Sequence, residues 1–304
     1  MSIKTKLFLL IGGASALMIL LLTAYFVSSS NKHTEDLAME STYNQAKMLA
    51  ITLHIGREYL AKIIKEQPKG TWKLTEDTIK FIPARFGTAV GLQLENEAAG
   101  YKLKQTAIKV TNPKNAPDEY ETNLLKKFAA DRSMKEFPQT SNLKEGIQML
   151  EGRKVFRYGF PFITKAGCVP CHSDPKVAPK VVNDLYPQNQ GFGFQEGEFY
   201  GMLSVTVPWE ATQSKIDSMK AENTKAGFTA GFILVVIVLG MVWVVSSNIV
   251  TSLNIFSQVA ERVSKGDTQA TIPENLVNRK DEIGTLAGSF GRMIASLKVF
   301  MGGE

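Results

Sequence analysis

Two long stretches without a single charge divide this chain. Leu7 to Phe26 is a run of about twenty apolar or small residues behind Lys4 and Lys6, and Gly227 to Val245 is a second, with Trp243 near one end. Each is long enough to cross a hydrocarbon core of about 30 Å, and indole suits the membrane interface. A cleavable signal peptide has a shorter core of roughly 7–15 residues and a small-x-small exit. The sequence around Ala24 to Val27 offers no such exit, so the first run predicts a retained anchor.

Beyond the anchor the pattern changes period. Tyr43 to Lys65 reads as a helix continuing from the first span, with Met48, Leu49, Ile55, Tyr59, Leu60 and Ile63 on one stripe. On that wheel His54 falls on the opposite face with Lys47 and Glu58. Ala84 to Gly100 predicts a second helix, Tyr101 to Val110 a half-buried strand and Asp118 to Asp131 a helix whose first acids suit its N-terminus. Val155 to Ile163 and Met202 to Val207 predict two further strands. Helices around a small antiparallel sheet make the fold class α+β. The predicted division is 1–6 N-terminus, 7–28 first span, 29–225 outer domain, 226–246 second span, 247–300 helical module and 301–304 tail.

After the second span, Leu253, Phe256, Ala260 and Val263 recur at helical spacing, and Gly266-Asp267 stops the helix. Ile283, Leu286, Phe290, Met293, Leu297 and Phe300 then follow at 3, 4, 3, 4, 3. Two short amphipathic helices cannot bury these stripes alone and call for a partner chain, here a second copy.

The net charge is +6, but 29–225 holds 27 Lys and Arg against 23 Asp and Glu, with no basic stripe. That excludes nucleic acid as the expected partner. Two cysteines exclude a disulfide-dense scaffold. With the short lysine-bearing tail in the cytoplasm, 29–226 lies outside and 246–304 inside. This predicts a bacterial inner membrane protein with a periplasmic domain.

Both cysteines fall in C-V-P-C-H at 168–172. This is the c-type haem attachment signature: two thiols three residues apart each add to a vinyl group of one porphyrin, and the adjoining imidazole becomes the proximal iron ligand. A redox dithiol, a zinc site using His33 or His54, and a structural disulfide are the weighed alternatives. Cys168, Cys171 and His172 are thus the expected holders of one covalent haem c. For the sixth iron position Met48 and His54 are the candidates, Met48 being better placed on the stripe, and an open, gas-binding position is the third option. Arg157, Tyr158 and Phe160, with Phe192, Phe194, Phe199 and Tyr200, are candidate pocket residues, Arg157 or Arg153 as a propionate partner.

G-Y-K-L-K-Q at 100–105, N-P-K-N-A-P-D-E-Y-E at 112–121, the haem motif, Tyr186-Pro187 and G-F-G-F-Q-E-G-E-F-Y-G-M-L-S-V at 191–205 together resemble the c-type haem family domain over most of 35–210. That family has a PAS-like core and occurs in bacterial membrane sensors, which implies haem bound at Cys168, Cys171 and His172. Residues 253–300 resemble a HAMP module, with D-E-I-G at 281–284 opening the second helix, though its usual proline after the membrane is missing. HAMP modules form parallel four-helix bundles in dimers and pass movements of a membrane helix onward. The expected function is a membrane haem sensor of redox state or a small gas, signalling to a separate cytoplasmic partner. A membrane-tethered monohaem electron carrier with a redox partner is the alternative, favoured by the absence of an output domain before Glu304. No enzymatic activity is expected.

Overall fold

The computed structural model describes residues 2–68, 72–187, 190–267 and 269–301. They divide into two units, 32–220 and, together, 1–31 with 221–304. The element order is α1 (Ile3–Leu7), a π-helical turn (Phe8–Gly12), α2 (Gly13–Glu66), α3 (Pro83–Glu97), β1 (Lys102–Thr106), α4 (Glu119–Ala130), β2 (Ile147–Leu150), β3 (Arg153–Ile163), α5 (Val169–His172), α6 (Lys180–Leu185), β4 (Phe199–Pro208), α7 (Trp209–Ser264), α8 (Glu274–Val277) and α9 (Glu282–Met301).

In the unit 32–220 the four strands form one antiparallel sheet in the order β1-β4-β3-β2. The β2–β3 hairpin closes through Glu151 and Gly152, both at positive φ, and the twist of such a turn matches that of the flanking strands. One face of the sheet presents Leu103, Phe156, Tyr158, Leu203, Val205 and Val207 to α2 and α3. The other packs Met202 against Leu124, Leu125 and Phe128 of α4. α4 opens on a reciprocal capping box in which Asp118 and Glu121 each accept from the other's backbone N–H. At Gly91 of α3 a Cβ would lie 2.0 Å from the Leu103 carbonyl oxygen, so only glycine lets this helix rest on β1.

Packing of α2 departs from the expected apolar stripe, of which Leu49 alone packs against the core cluster. Met39, Tyr43, Ala46, Ala50 and Leu53 face the sheet, at spacings of 4, 3, 4 and 3. Met48, Ile55, Tyr59 and Ile63 are exposed, Met48 at 60%. The helix carries two apolar stripes, and the one with Ala46 and Ala50 prevails because small side chains let the helix approach the strands closely.

In the other unit α2 and α7 each contain a run long and apolar enough to cross a membrane. Close approach there occurs at Gly231, where a Cβ would meet the Thr23 side chain at 2.5 Å. The C-terminal helices bury Phe256, Val259, Ala270, Ile272, Leu276, Ala287 and Ile294, with Ile283 and Phe290 against them. Leu286, Met293 and Leu297 of the predicted stripe remain exposed, as does Leu253. Of the predicted α9 stripe the intrachain contact therefore uses Ile283 and Phe290 and leaves Leu286, Met293 and Leu297 apolar and uncovered, while the Phe300 side chain lies outside the described residues.

Candidate functional site

Strand β3 alternates, so Phe156, Tyr158, Phe160 and Phe162 point to the α2 side of the sheet. After Ile163 the chain is tied to the approach of β4 by Thr164 N–H donating to the Glu198 carbonyl at 2.7 Å and Gly197 N–H donating to that of Thr164 at 2.8 Å. A turn closed by Cys168 N–H on the Lys165 carbonyl leads into α5, a single helical turn with Pro170 where the missing N–H has no partner to lose. This turn brings Cys168 and His172 to the same side, four residues apart, with Cys171 beside them. Both cysteines are free thiols and half-buried, and burial pushes the Cys171 thiol up.

His172 is held by the loop that follows. Phe194 N–H donates to the His172 carbonyl at 3.1 Å and Gly193 N–H to that of Ser173 at 2.9 Å. The His172 Nδ1 lies 2.8 Å from the Gly191 carbonyl oxygen, an acceptor only, so Nδ1 carries the proton. Nε2 then keeps its lone pair, and among the described residues nothing hydrogen-bonds it. Burial lowers the His172 pKa in spite of the Gly191 contact, so the imidazole is neutral at physiological pH.

Aromatic rings connect this histidine to α2. The Tyr200 ring meets His172 edge-on at 5.0 Å, Phe194 at 4.6 Å and Phe162 in a stack at 5.6 Å. Burial pushes the Tyr200 hydroxyl up to about 12. From α2 the Arg57 guanidinium lies over Phe162, 4.6 Å from the ring centroid, and His54 packs on Phe160 at 5.3 Å. An ion pair from Lys165 to Glu58 fastens the approach to the cysteines onto the same helix. Burial lowers the His54 pKa, and its Nδ1 is buried with no hydrogen-bond partner.

The candidates named from sequence separate accordingly. Cys168, Cys171, His172, Phe160, Phe194, Tyr200 and His54 share this region. Arg157 does not: it lies on the opposite face of β3, 4% exposed, bound to Asp118 at 2.7 Å and Glu121 at 3.0 Å. With both carboxylates engaged it is a structural ion pair, which corrects its assignment to the pocket. Tyr158 is buried against Tyr43 and donates to Glu136, a core role that likewise removes it. Met48 is largely exposed and lines a cavity with Phe86, Val90 and Leu103, apart from the cysteines, whereas His54, expected on the solvent face, packs against β3. Sequence reasoning missed Arg57 and the Gly191 carbonyl; the i, i+3 relation of Arg57 to His54 was the signal available for the former.

The family described as Tll0287-like matches residues 33–208, more than half of the chain. The chain belongs to the Tll0287-like family. A HAMP domain matches residues 244–298. A solved chain described as the "cyanobacterial heme-protein Tll0287" is 25% identical, with 53% of this chain and 91% of that one covered and a TM-score of 0.41. Among curated proteins nothing matches.

Within this Tll0287-like domain the donor set fits an iron porphyrin fastened through two thioethers. Cys168 and Cys171 are unpaired thiols at the required spacing, and His172 offers Nε2 with its tautomer fixed by Gly191. The atoms His54 Nδ1 and Arg57 Nε are buried polar groups that lack a hydrogen-bond partner among the described residues. Apolar walls from Phe160, Phe162, Phe194 and Tyr200 complete the setting.

Proposed function

We propose that this chain is a membrane-anchored c-type haem sensor that responds to redox state or a small gas and signals through its HAMP domain to a separate cytoplasmic partner. The single observation that carries the reading is the His172 contact to the Gly191 carbonyl, beside two free thiols, which frees Nε2 for iron. Cys168 and Cys171 attach one haem, and His172 is its proximal ligand. His54 is the sixth ligand in preference to Met48, since its buried Nδ1 is unpartnered and its ring packs on Phe160, while Met48 lines a separate cavity with Phe86 and Leu103. Neither role is enzymatic: the residues hold the iron and pass on its state.

The domain 29–225 is read as PAS-like and periplasmic, in the bacterial inner membrane, because attachment of this type takes place outside the cytoplasm. The second span and α7 link it by one continuous helix to the HAMP helices. Exposed Leu286, Met293 and Leu297 favour a homodimer there. A signal works only through differential interaction with two states. One unit of charge at 4 Å in an effective dielectric near 20 is worth about 4 kcal/mol, enough to bias a two-state bundle.

The test is the full chain purified in detergent from cells that mature c-type haem. We expect a mass increment of one haem that survives denaturation and is absent from the Cys168→Ser, Cys171→Ser double variant. A colourless protein would overturn the reading. Changing Phe290, which packs on Phe256, to Ala should abolish the downstream response while haem reduction by a soluble donor continues. An unaltered response would favour the electron-carrier alternative.

A further inference from the structure

Arg57 is a half-buried cation that, among the described residues, has no carboxylate in an ion pair with it. Its guanidinium lies over the Phe162 ring, and its Nε has no hydrogen-bond partner. Among the described residues no ion pair reaches it. Glu58, its neighbour in sequence, is directed to Lys165 instead. The contrast with Arg157 is instructive, because that buried guanidinium has both Asp118 and Glu121. A cation partly withdrawn from water is costly, and the face of a phenyl ring returns only part of what hydration gave. A group carrying negative charge would offset the rest.

The surroundings say where that group belongs. The Phe162 ring beneath Arg57 stacks on Tyr200 at 5.6 Å, so the cation sits beside the aromatic group that borders the motif. Tyr200 in turn touches His172, and His54 lies three residues before Arg57 on the same helix and packs on the same strand. Resting on the haem reading above, we propose that Arg57 sets the reduction potential of the haem held at Cys168, Cys171 and His172, keeping it higher than a neutral side chain would. Reduction adds one electron to the iron, ferric to ferrous, with no bond made or broken. The group becomes one unit more negative, which a fixed cation in a site of low dielectric favours.

Arg57 is thus a tuning residue, and it is not offered as an iron ligand. Phe162 explains how it is kept in place without an acid: a carboxylate partner would cancel the charge that the role requires.

The experiment is a spectroscopic potentiometric titration of the haem-loaded full chain, with dithionite as the one-electron reductant and soluble mediators. The wild type is compared with Arg57→Met and Arg57→Lys. In Arg57→Met the ratio of reduced to oxidised haem at a fixed potential should fall at least tenfold, a midpoint lowered by about 59 mV for a one-electron couple. Arg57→Lys should stay within threefold of wild type. The spectra of all three should coincide in each redox state, since the ligands are unchanged. Equal midpoints in three haem-loaded proteins would overturn the proposal and leave the haem reading standing. If Arg57→Met carries no haem while Arg57→Lys does, the charge serves attachment and the proposal also fails. A wild type without covalent haem removes the haem reading itself.

Discussion

Tyr158 donates a 2.7 Å hydrogen bond to Glu136, and so joins the central strand β3 to the carboxylate that also holds α2. From α2 the Tyr43 hydroxyl donates to Glu136 at 2.6 Å and Lys47 at 3.1 Å. One side chain thus clamps the long helix to the sheet that carries the site. Burial raises the Glu136 pKa, but the bonds from Tyr43, Lys47 and Tyr158 outweigh it and hold the carboxyl below its ordinary value near 4.5.

Replacing Glu136 by Gln should cost about 2 kcal/mol at pH 7, the range for hydrogen bonds to a charged group. A carboxyl with a depressed folded pKa contributes stability that is present in full above the unfolded value and lost as pH falls through the folded one. The melting temperatures of wild type and Glu136→Gln should therefore differ most above pH 4.5 and converge below it. A gap that widens in acid would contradict the assignment.

Gly91 is the tightest approach of α3 to β1. Gly91→Val should lower stability by about 1–3 kcal/mol, the cost of overpacking a site that cannot yield, as read from thermal unfolding of the full chain. Gly152→Ala, at an open hairpin position with positive φ, should cost about 1 kcal/mol through backbone strain alone. The reverse ranking would mean that α3 rides free of the sheet.

At the sixth iron position the two candidates give opposite spectra. Exchanging His54 for Ala should open the site, so that CO shifts the spectrum of the reduced protein. Met48→Ala should leave that spectrum as in the wild type, because the side chain lines a separate cavity with Phe86, Val90 and Leu103. A CO response already present in the wild type would mean that His54 does not bind iron.

In the HAMP helices the uncovered part of α9 is the expected contact with a second copy. Leu286→Asp and Met293→Asp should reduce cross-linked dimer several-fold while the chain keeps its helix content, because these residues are exposed within one chain. Ile294→Asp places a charge in the buried cluster with Phe256 and Leu276 and should unfold the module, as loss of helical signal on heating will report.

Much of the fold was legible because its signals are local. The capping acid Asp118, the strand from Val155 to Ile163 and the stop at Gly266 all appear where the pattern put them. Strand β2 went unread: Ile147–Leu150 is four residues long and half-exposed at the sheet edge, so it shows no alternation. The second C-terminal helix was read correctly as an element, yet of its stripe Ile283 and Phe290 meet their own chain while Leu286, Met293 and Leu297 do not.

Two uncharged runs and a five-residue motif are properties of neighbouring residues. The two runs long and apolar enough to cross a membrane and the grouping of Cys168, Cys171 and His172 were accordingly legible in the sequence, since length, charge and spacing require no distant partner. Which face of α2 meets the sheet was a tertiary decision. The helix has two apolar stripes, and the choice rests on how closely Ala46 and Ala50 let it approach strands more than fifty residues away. That choice left Met48 exposed, set His54 on Phe160 and Arg57 over Phe162, and left Arg157 to two acids on the other side of β3.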